Sequence, residues 1–383
     1  MVLTRGFMTS SLVAGQARRQ FIILGLAGAI AACQSAPAPR PEAAIPTPQP
    51  GAKKKVALIV PLTGMDGPIG TSISRAAALA LTDTGNQQIT LTVFDSAKAG
   101  AASAATLALA NGNALILGPL TADDVRAVAP LARKASVPVV AFSNDRDVAG
   151  DGVFIMGTAP SDSIERAVLY ARGKGATRFG GLVPTNLYGQ RVSQALLGAV
   201  QRAGGKMGGV QAYGQTAASM RAAAATLNSR GPMDAVIIGD SVANAAVAAP
   251  SVRTGQRIIG TELWGNERTI GRTPALRGAW YAALPNDRFD QLVTRYRAKY
   301  GKTPYRLASL GYDAMLLTVR TEKFWAAGMP FPARKLIEKD GFTGVDGIFR
   351  FGRDGIAERA LEVRQVTAAG SILLSPAAAT FAN

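Results

Sequence analysis

The amino-acid sequence predicts an α/β fold with doubly wound sheets, and three observations support this prediction. Largely apolar runs of four to six residues recur along the chain, for example at residues 56–60, 114–117 and 137–142. Such runs are typical of strands that are buried on both faces in a parallel sheet. Stretches of helical pattern separate the runs, and short loops join them. This alternation favours repeated strand–helix units.

The first strand–loop–helix unit is the clearest one. The strand over residues 56–60 is followed by a loop over residues 61–70, which holds three glycines and two prolines, and by a helix over residues 72–81. In open α/β sheets, ligands bind outside the carboxyl ends of the strands. We therefore expect this loop to face a ligand crevice, where Thr63 and Asp66 are candidate contacts.

The remaining elements of the first half follow the same order. We predict strands over residues 89–94, 114–117 and 137–142 and helices over residues 99–110 and 122–134. Asp123 and Asp124 lie in the first turn of the second of these helices, and Arg133 and Lys134 lie in its last turn. This distribution of charge agrees with the helix macrodipole and supports the predicted ends of that helix.

The strand–helix pattern restarts near Gly157 and changes near the end of the chain. We predict strands over residues 179–183, 210–213, 235–238, 258–260 and 278–282, and helices over residues 162–172, 190–203, 217–228, 287–300 and 305–327. Residues 347–351 and 361–366 then alternate apolar and polar side chains, and residues 352–355 between them have turn chemistry. The sequence therefore predicts an antiparallel hairpin here.

The composition excludes several classes of function. The chain has 383 residues, no histidine and one cysteine, Cys33. Without histidine it lacks the commonest general base and the commonest metal ligand. A single cysteine forms neither an intramolecular disulfide nor a thiolate metal cluster. We therefore predict a non-enzymatic protein with no metal and no cofactor; an acid dyad for glycan cleavage is the enzymatic alternative.

The formal net charge of the chain is +17. This charge either attracts anionic partners or simply keeps an alanine-rich protein in solution, and the sequence does not separate the two interpretations. No basic run is interleaved with aromatic side chains, so we expect no nucleic-acid partner. The tripeptide at residues 239–241 resembles a hydrolase nucleophile turn, but no Ser-His-acid triad can form without histidine.

The N-terminal stretch has the pattern of a bacterial export signal. Arg18 and Arg19 precede an apolar run that ends in small residues before Cys33, and the run is too short to span a bilayer comfortably. Residues 30–33 resemble a lipoprotein box, which implies lipidation of Cys33; a plain secretory signal is the alternative. We predict a signal over residues 1–32 and a tether, rich in proline and alanine, over residues 33–54.

Four short stretches carry a family resemblance through their order and spacing, namely residues 61–64, 118–121, 139–143 and 187–189. Together they resemble the type I periplasmic binding-protein superfamily. The resemblance implies two Rossmann-like α/β lobes that are joined by three hinge crossings and close on a ligand. On this pattern, lobe one holds residues 55–157 and 284–328, and lobe two holds residues 158–283 and 329–383.

Solute-binding proteins of branched-chain amino-acid ABC transporters form one group of relatives. The resemblance implies ligand contacts at Thr121, Ser143, Tyr188 and Glu262. Asp145 departs from the pattern, because its carboxylate would repel the carboxylate of an amino acid. The candidate residues of an interlobe cleft, including acids chosen for their loop positions, are Thr63, Asp66, Thr121, Ser143, Asp145, Tyr188, Asp240 and Glu262. The alternative is that such residues cap helices and stabilise loops.

The C-terminal part resembles a second group, the penicillin-binding-protein activator lipoproteins, over residues 306–314, 341–351 and 354–359. That resemblance implies a lipoprotein of the periplasm that is anchored to an envelope membrane, preferably the outer one, and docks on a peptidoglycan synthase. This is our leading expectation. The alternative is a substrate-binding protein that delivers an amino acid or a related small polar solute to the permease of an ABC transporter.

Overall fold

The computed structural model describes residues 51–381. The predictions for the export signal, for lipidation of Cys33 and for most of the tether lie outside the described residues. Within residues 51–381, no helix is both long enough and apolar enough to cross a membrane.

Strands and helices alternate through most of the described chain. The strands are β1 (Lys54–Val60), β2 (Ile89–Asp95), β3 (Leu115–Leu117), β4 (Val139–Ala141), β5 (Val153–Ile155), β6 (Arg178–Pro184), β7 (Lys206–Tyr213), β8 (Ala235–Ile238), β9 (Arg257–Gly260), β10 (Trp280–Ala283), β11 (Phe342–Gly344), β12 (Gly347–Phe351), β13 (Ala357–Arg359), β14 (Glu362–Thr367) and β15 (Gly370–Ser375). The helices are α1 (Gly67–Thr84), α2 (Ala101–Ala110), α3 (Ala122–Lys134), α4 (Pro160–Gly173), α5 (Leu187–Arg202), α6 (Ala217–Asn228), α7 (Val242–Ala248), α8 (Asp287–Tyr300) and α9 (Ala308–Glu322).

The strands form two large sheets and one small one. The first sheet has the order β2-β1-β3-β4-β5 and its pairs are parallel. The second has the order β15-β14-β10-β9-β8-β6-β7, with antiparallel pairs at its β15 edge. A small antiparallel sheet has the order β11-β12-β13. The predicted fold class, with two α/β lobes, is confirmed.

Each large sheet is buried on both faces. In β1, Val56, Leu58 and Val60 pack into one apolar core, whereas Ala57 and Ile59 pack into the core on the opposite face. Successive side chains of a strand point to opposite faces, so a continuous apolar run suits a strand between two layers of helices. The second sheet has two cores in the same way, and the four cores lie within residues 56–366.

The C-terminal segment differs from the prediction in two respects. Phe342, Phe349 and Phe351 pack into a core of the first sheet, so β11, β12 and β13 belong to lobe one, although we assigned residues 329–383 to lobe two. The predicted hairpin is also wrong. β12 pairs with β11 and β13, whereas β14 lies in the second sheet between β10 and β15. Lobe one is hereafter residues 54–157 and 284–359, and lobe two is residues 158–283 and 360–375.

The first unit of each lobe has the same local construction. β1 is followed by Pro61 and α1 contains Gly70, while β6 ends at Pro184 and α5 contains Gly189. A Cβ atom at Gly70 would lie 1.7 Å from the carbonyl oxygen of Pro61, and one at Gly189 would lie 1.8 Å from that of Pro184. Glycine at these positions therefore lets each helix pack directly against the carboxyl end of its strand.

Candidate functional site

A cavity of about 380 Å³ lies between the two lobes, at the carboxyl ends of β4, β9 and β10. Its walls are largely apolar, and they include Leu120, Phe142, Leu263 and Leu310. The polar residues that line it are Asn144, Thr158, Glu262, Asn266, Arg306, Ser309 and Asp346. Of the eight candidate residues from the sequence, Glu262 is the one that lines this cavity. Asn144, Thr158 and Asn266 had no sequence signal beyond their place in loops or next to a helix start, and Ser309 lies in a stretch that carried a family resemblance but was not assigned to the site.

Glu262 has an incompletely paired carboxylate. It begins a short 3₁₀ turn after β9, and the hydroxyl of Tyr188 donates a hydrogen bond of 3.0 Å to its Oε1. Its Oε2 is buried and accepts no hydrogen bond from any described residue. Burial raises the pKa of Glu262 to about 7; the bond from Tyr188 opposes this rise, and the charge of Asp162 adds to it. A buried acceptor without a donor is costly, so the site is suited to a ligand that supplies one.

Tyr188 is held in place by lobe two. It lies in the first turn of α5, where the side chain of Asn186 caps the helix by accepting a hydrogen bond from the amide of Gly189. Its hydroxyl also lies 2.8 Å from Oγ1 of Thr261. Burial, together with the charge of Glu262, raises the pKa of Tyr188, so the phenol stays protonated and able to donate.

The lobe-one wall of the cavity carries a paired charge network. Arg306 forms an ion pair with Asp346, and the hydroxyl of Ser309 donates a hydrogen bond of 2.6 Å to Asp346. Behind them, Asp313 accepts a hydrogen bond of 2.7 Å from the amide of Val345. Burial and the neighbouring charge of Asp346 raise the pKa of Asp313. We did not assign this network to the site from the sequence, although the resemblance was based partly on stretches that contain it.

The two candidate residues of the β1–α1 loop lie away from the cavity. Thr63 is exposed, and its hydroxyl donates a hydrogen bond of 2.8 Å to Asp95 in β2. Asp66 is the N-cap residue of α1 and is exposed as well. Thr63 instead borders a separate cleft with Arg75 and Lys302. The structure therefore does not bring this pair to the interlobe site.

Three further candidates support the backbone around them. Thr121 is the N-cap of α3, where its side chain accepts a hydrogen bond from the amide of Asp124. Ser143 is buried, and its Oγ accepts a hydrogen bond of 3.1 Å from the amide of Asp145. Asp240 accepts hydrogen bonds from Tyr213, from the amide of the next residue and from Asn244. These contacts fit the alternative interpretation, in which the residues serve as caps and loop anchors.

Asp145 links the two lobes. Its Oδ2 lies 3.0 Å from Arg126 of the same lobe and 2.8 Å from Arg191 on α5 of lobe two. Burial acts to raise the pKa of Asp145, but the amide of Asp147 and the two guanidinium groups outweigh it and hold the pKa below its usual range. Its charge is thus neutralised at the interface between the lobes, so it is not an unpaired anion that would repel a ligand.

No metal site is evident in the part of the chain that the structure describes. Among residues 51–381, no group of three or more Asp, Glu or Cys side chains is placed to hold a metal ion.

Trp264, which is next to the cavity-lining Leu263, is fully buried, and its indole N–H donates to the carbonyl of Asp240. It is a core residue of lobe two, so it has no free face for stacking on a ligand.

Two α/β lobes with a cavity between them define a two-lobed binding protein. A family model described as "Periplasmic binding protein" matches residues 53–371, so the chain belongs to this family. The resemblance to type I periplasmic binding proteins is thereby confirmed. A family of this kind implies a periplasmic location, and its members are typically binding proteins without catalytic activity.

Several solved structures have a similar fold, and they align with this chain over nearly their whole length. A putative branched-chain amino-acid ABC transporter protein from Rhodospirillum rubrum has a TM-score of 0.72, with 19% identity over 84% of this chain and 100% of its own. LivJ of Streptococcus pneumoniae in complex with isoleucine has a TM-score of 0.61, with 18% identity over 85% and 100%. A Rhodopseudomonas palustris solute-binding protein in complex with 3,4-dihydroxybenzoic acid has a TM-score of 0.64, with 18% identity over 86% and 97%. At these identities the similarity shows the fold alone.

A curated relative matches a shorter part of the chain. It is an uncharacterized protein of Rickettsia prowazekii (strain Madrid E), 26% identical over 143 residues, which are 37% of this chain. The chain spans 38% of the length of this relative. The match therefore adds no information about ligand or partner.

Proposed function

We propose that the protein is a substrate-binding protein of an ABC transporter and that it binds a small amine-bearing solute in the interlobe cavity. The observation that carries this proposal is Glu262, a cavity-lining carboxylate whose Oε2 has no hydrogen-bond donor among the described residues. An ammonium or N–H group of a ligand would supply that donor. Hydrogen bonds to charged groups contribute roughly 1.5–3 kcal/mol, enough to select for such a ligand.

The cavity also limits the size and polarity of the solute. Its volume of about 380 Å³ lies at the small end of the range for ligand pockets. Leu120 and Phe142 from lobe one and Leu263 from lobe two offer apolar contact to the body of a ligand. Isoleucine, the ligand of the Streptococcus pneumoniae relative, combines an ammonium group with an apolar side chain. An amino acid of this kind is our first candidate.

A thermal-shift screen followed by calorimetry tests the proposal. Isoleucine and other apolar amino acids should raise the melting temperature, while their N-acetyl derivatives and 3,4-dihydroxybenzoic acid should not. Glu262→Gln keeps the bond from Tyr188 but removes the charge, so it should weaken binding by roughly 10- to 100-fold. Asp66→Asn, at an exposed acid outside the cavity, is the matched control. A ligand that stabilises wild type and Glu262→Gln equally would contradict the proposal.

The leading expectation from the sequence, an activator of a peptidoglycan synthase, has weaker support. It is based on residues 306–314 and 341–359. In the structure, Phe342 and Phe349 of these stretches belong to a core of lobe one, and Arg306 and Asp346 form its cavity wall. Such residues serve the fold under either function. A pull-down from envelope extract that enriched a peptidoglycan synthase and no ABC permease would favour the activator.

We propose further that Cys33 is lipidated and anchors the protein to an envelope membrane, and we favour the outer membrane. The support is the lipoprotein box at residues 30–33 and the tether that follows it. Cys33→Ser should release the protein from the membrane fraction into the soluble periplasmic fraction. Separation of inner and outer membranes on a density gradient tests which one holds the wild type. Wild-type protein in the soluble fraction would exclude the anchor.

A further inference from the structure

The face of lobe one opposite the cavity is formed where several elements begin or end. The cavity lies at the carboxyl ends of the strands, whereas β1 begins at Lys54 on the other side. Lys54 forms an ion pair with Glu322, the last residue of α9. A hollow beside this pair is lined by residues 52–55, by residues 135–137 after α3 and by Trp325. The start of β1 and the ends of α3 and α9 therefore form one continuous surface.

This surface carries a group of lysines, two of which flank an exposed aromatic ring, and we call the group with this ring the basal patch. It consists of Lys53, Lys55, Lys134, Lys323, Phe324 and Lys335. Phe324 is 50% exposed. The ammonium groups of Lys323 and Lys335 lie 5.0 and 4.3 Å from the centre of its ring. The ring is thus presented to solvent between two positive charges.

Two carboxylates near the basal patch are already engaged. Glu322 is paired with Lys54, and Glu338 lies 3.6 Å from Arg320 and 3.7 Å from Lys335. Lys53, Lys134 and Lys323 form no ion pair with any carboxylate that the structure describes. The patch therefore has an excess of positive charge, because Lys335 alone among its five lysines has a carboxylate partner in the part of the chain that the structure describes.

We propose that the basal patch docks on a membrane surface that carries anionic headgroups. Lysines next to an exposed aromatic side chain suit this environment, because the ammonium groups contact phosphate while the ring enters the boundary between headgroups and acyl chains. The chain that precedes Lys53 enters lobe one within this patch, so an upstream anchor would bring the patch to the membrane. The cavity would then face away from the membrane. The proposal depends neither on a ligand nor on lipidation of Cys33.

Co-sedimentation with lipid vesicles tests the proposal in a chain that begins at Gln34 and lacks Cys33. The four cores lie within residues 56–366, so this chain keeps all four of them. We expect binding to mixed phosphatidylglycerol–phosphatidylcholine vesicles at low salt, weaker binding at high salt, and none to pure phosphatidylcholine. Each lysine near the surface contributes about fivefold in affinity, so Lys323→Gln with Lys335→Gln should weaken binding roughly 25-fold.

Variants on lobe two control for net charge. Lys206→Gln with Arg221→Gln removes the same charge from exposed positions of lobe two and should leave vesicle binding within about twofold of wild type. Phe324→Ser should weaken binding, whereas Leu197→Ser, at an exposed apolar residue of α5, should not. Melting temperatures verify that each variant is folded. Equal loss in both double variants, equal binding to both vesicle types, or tighter binding to nucleic acid than to vesicles would overturn the proposal.

Discussion

On the lobe-one wall of the cavity, the carboxylate of Asp346 is held by Arg306 and Ser309. On the lobe-two wall, by contrast, one carboxylate oxygen of Glu262 accepts a hydrogen bond from Tyr188, and the other has no donor among the described residues. Both carboxylates are largely removed from water. In one case the fold supplies the partners, and in the other it does not. The difference separates the part of the cavity that stabilises the fold from the part that is available to a ligand.

The physical basis for this separation is the cost of burying polar groups. Nearly all buried polar atoms of folded proteins have a hydrogen-bond partner, because an unpaired one costs about 1–3 kcal/mol. A pair such as Arg306 and Asp346 avoids that cost within lobe one. Glu262 retains the cost of an unpaired buried oxygen. Costs of this kind are common at binding sites, where part of the stability of the fold is given up for function.

We expect the largest change in the free energy of unfolding from a substitution on the lobe-one wall. Asp346→Ala leaves the guanidinium of Arg306 and the hydroxyl of Ser309 without their partner in a buried position. Removal of one member of a buried ion pair costs about 3–5 kcal/mol. We expect that loss in the free energy of unfolding, measured by urea denaturation. Asp290→Ala, which removes the exposed pair with Arg268, should cost less than about 0.5 kcal/mol; equal effects of the two substitutions would contradict the assignment.

A substitution on the lobe-two wall should change the free energy of unfolding in the opposite direction, toward greater stability. The pKa of Glu262 is about 7 in the folded protein and 4.5 as its ordinary value, so the folded state binds more protons between these pH values. The stability contribution of Glu262 therefore falls as pH rises from 4.5 to 7. Glu262→Gln should remove this fall and stabilise the ligand-free protein above pH 7 by up to about 3 kcal/mol. Urea denaturation of both proteins across this pH range measures it, and parallel curves would contradict the prediction.

Much of the fold was predictable from the sequence because of the two-faced burial of the strands. The run at residues 56–60 packs into two cores, so its apolar pattern is continuous and leaves few alternatives. The segment after α9 was predicted less well. Residues 347–351 and 361–366 both alternate, but alternation does not identify the partner strand. The turn at residues 352–355 joins β12 to the short β13, and β14 then crosses to the other sheet.

The candidate site was harder to predict, since polar loop residues serve both the fold and ligands. Tyr188 and Glu262 follow different strands of lobe two, and their side chains meet at the cavity wall. Asp240 has a similar loop position, yet its carboxylate is fully engaged with its neighbours. Arg306 and Asp346 are 40 residues apart in sequence, and no local pattern indicates that they pair.

A loop residue of lobe one distinguishes capping from binding. Thr121 caps α3 and is exposed, while its neighbour Leu120 lines the cavity. Thr121→Ala should cost about 1 kcal/mol of stability, as loss of a cap does, and leave ligand affinity unchanged. Thr216→Ala, at the equivalent cap of α6 in lobe two, is the control and should have a similar cost. Loss of ligand binding in Thr121→Ala alone would contradict this prediction and would indicate that Thr121 contacts the ligand.

The smallest effect concerns the contact between the two walls. Arg191 of lobe two and Arg126 of lobe one share the carboxylate of Asp145, and only the first of these pairs joins the lobes. Arg191→Ala should favour separation of the lobes, because it removes a pair that exists when they are together. A partly exposed pair of this kind contributes up to about 1 kcal/mol, so ligand affinity should fall by about two- to fivefold.

Arg126→Ala is the matched substitution for this test, since it removes a charge from the same carboxylate without affecting a contact between lobes. Calorimetry should show unchanged ligand affinity for Arg126→Ala and weaker binding for Arg191→Ala. Small-angle scattering of the ligand-free variants should show a larger radius of gyration for Arg191→Ala alone. If both variants lose affinity equally, Asp145 acts through its charge near the cavity, and the two walls are then coupled electrostatically rather than by closure.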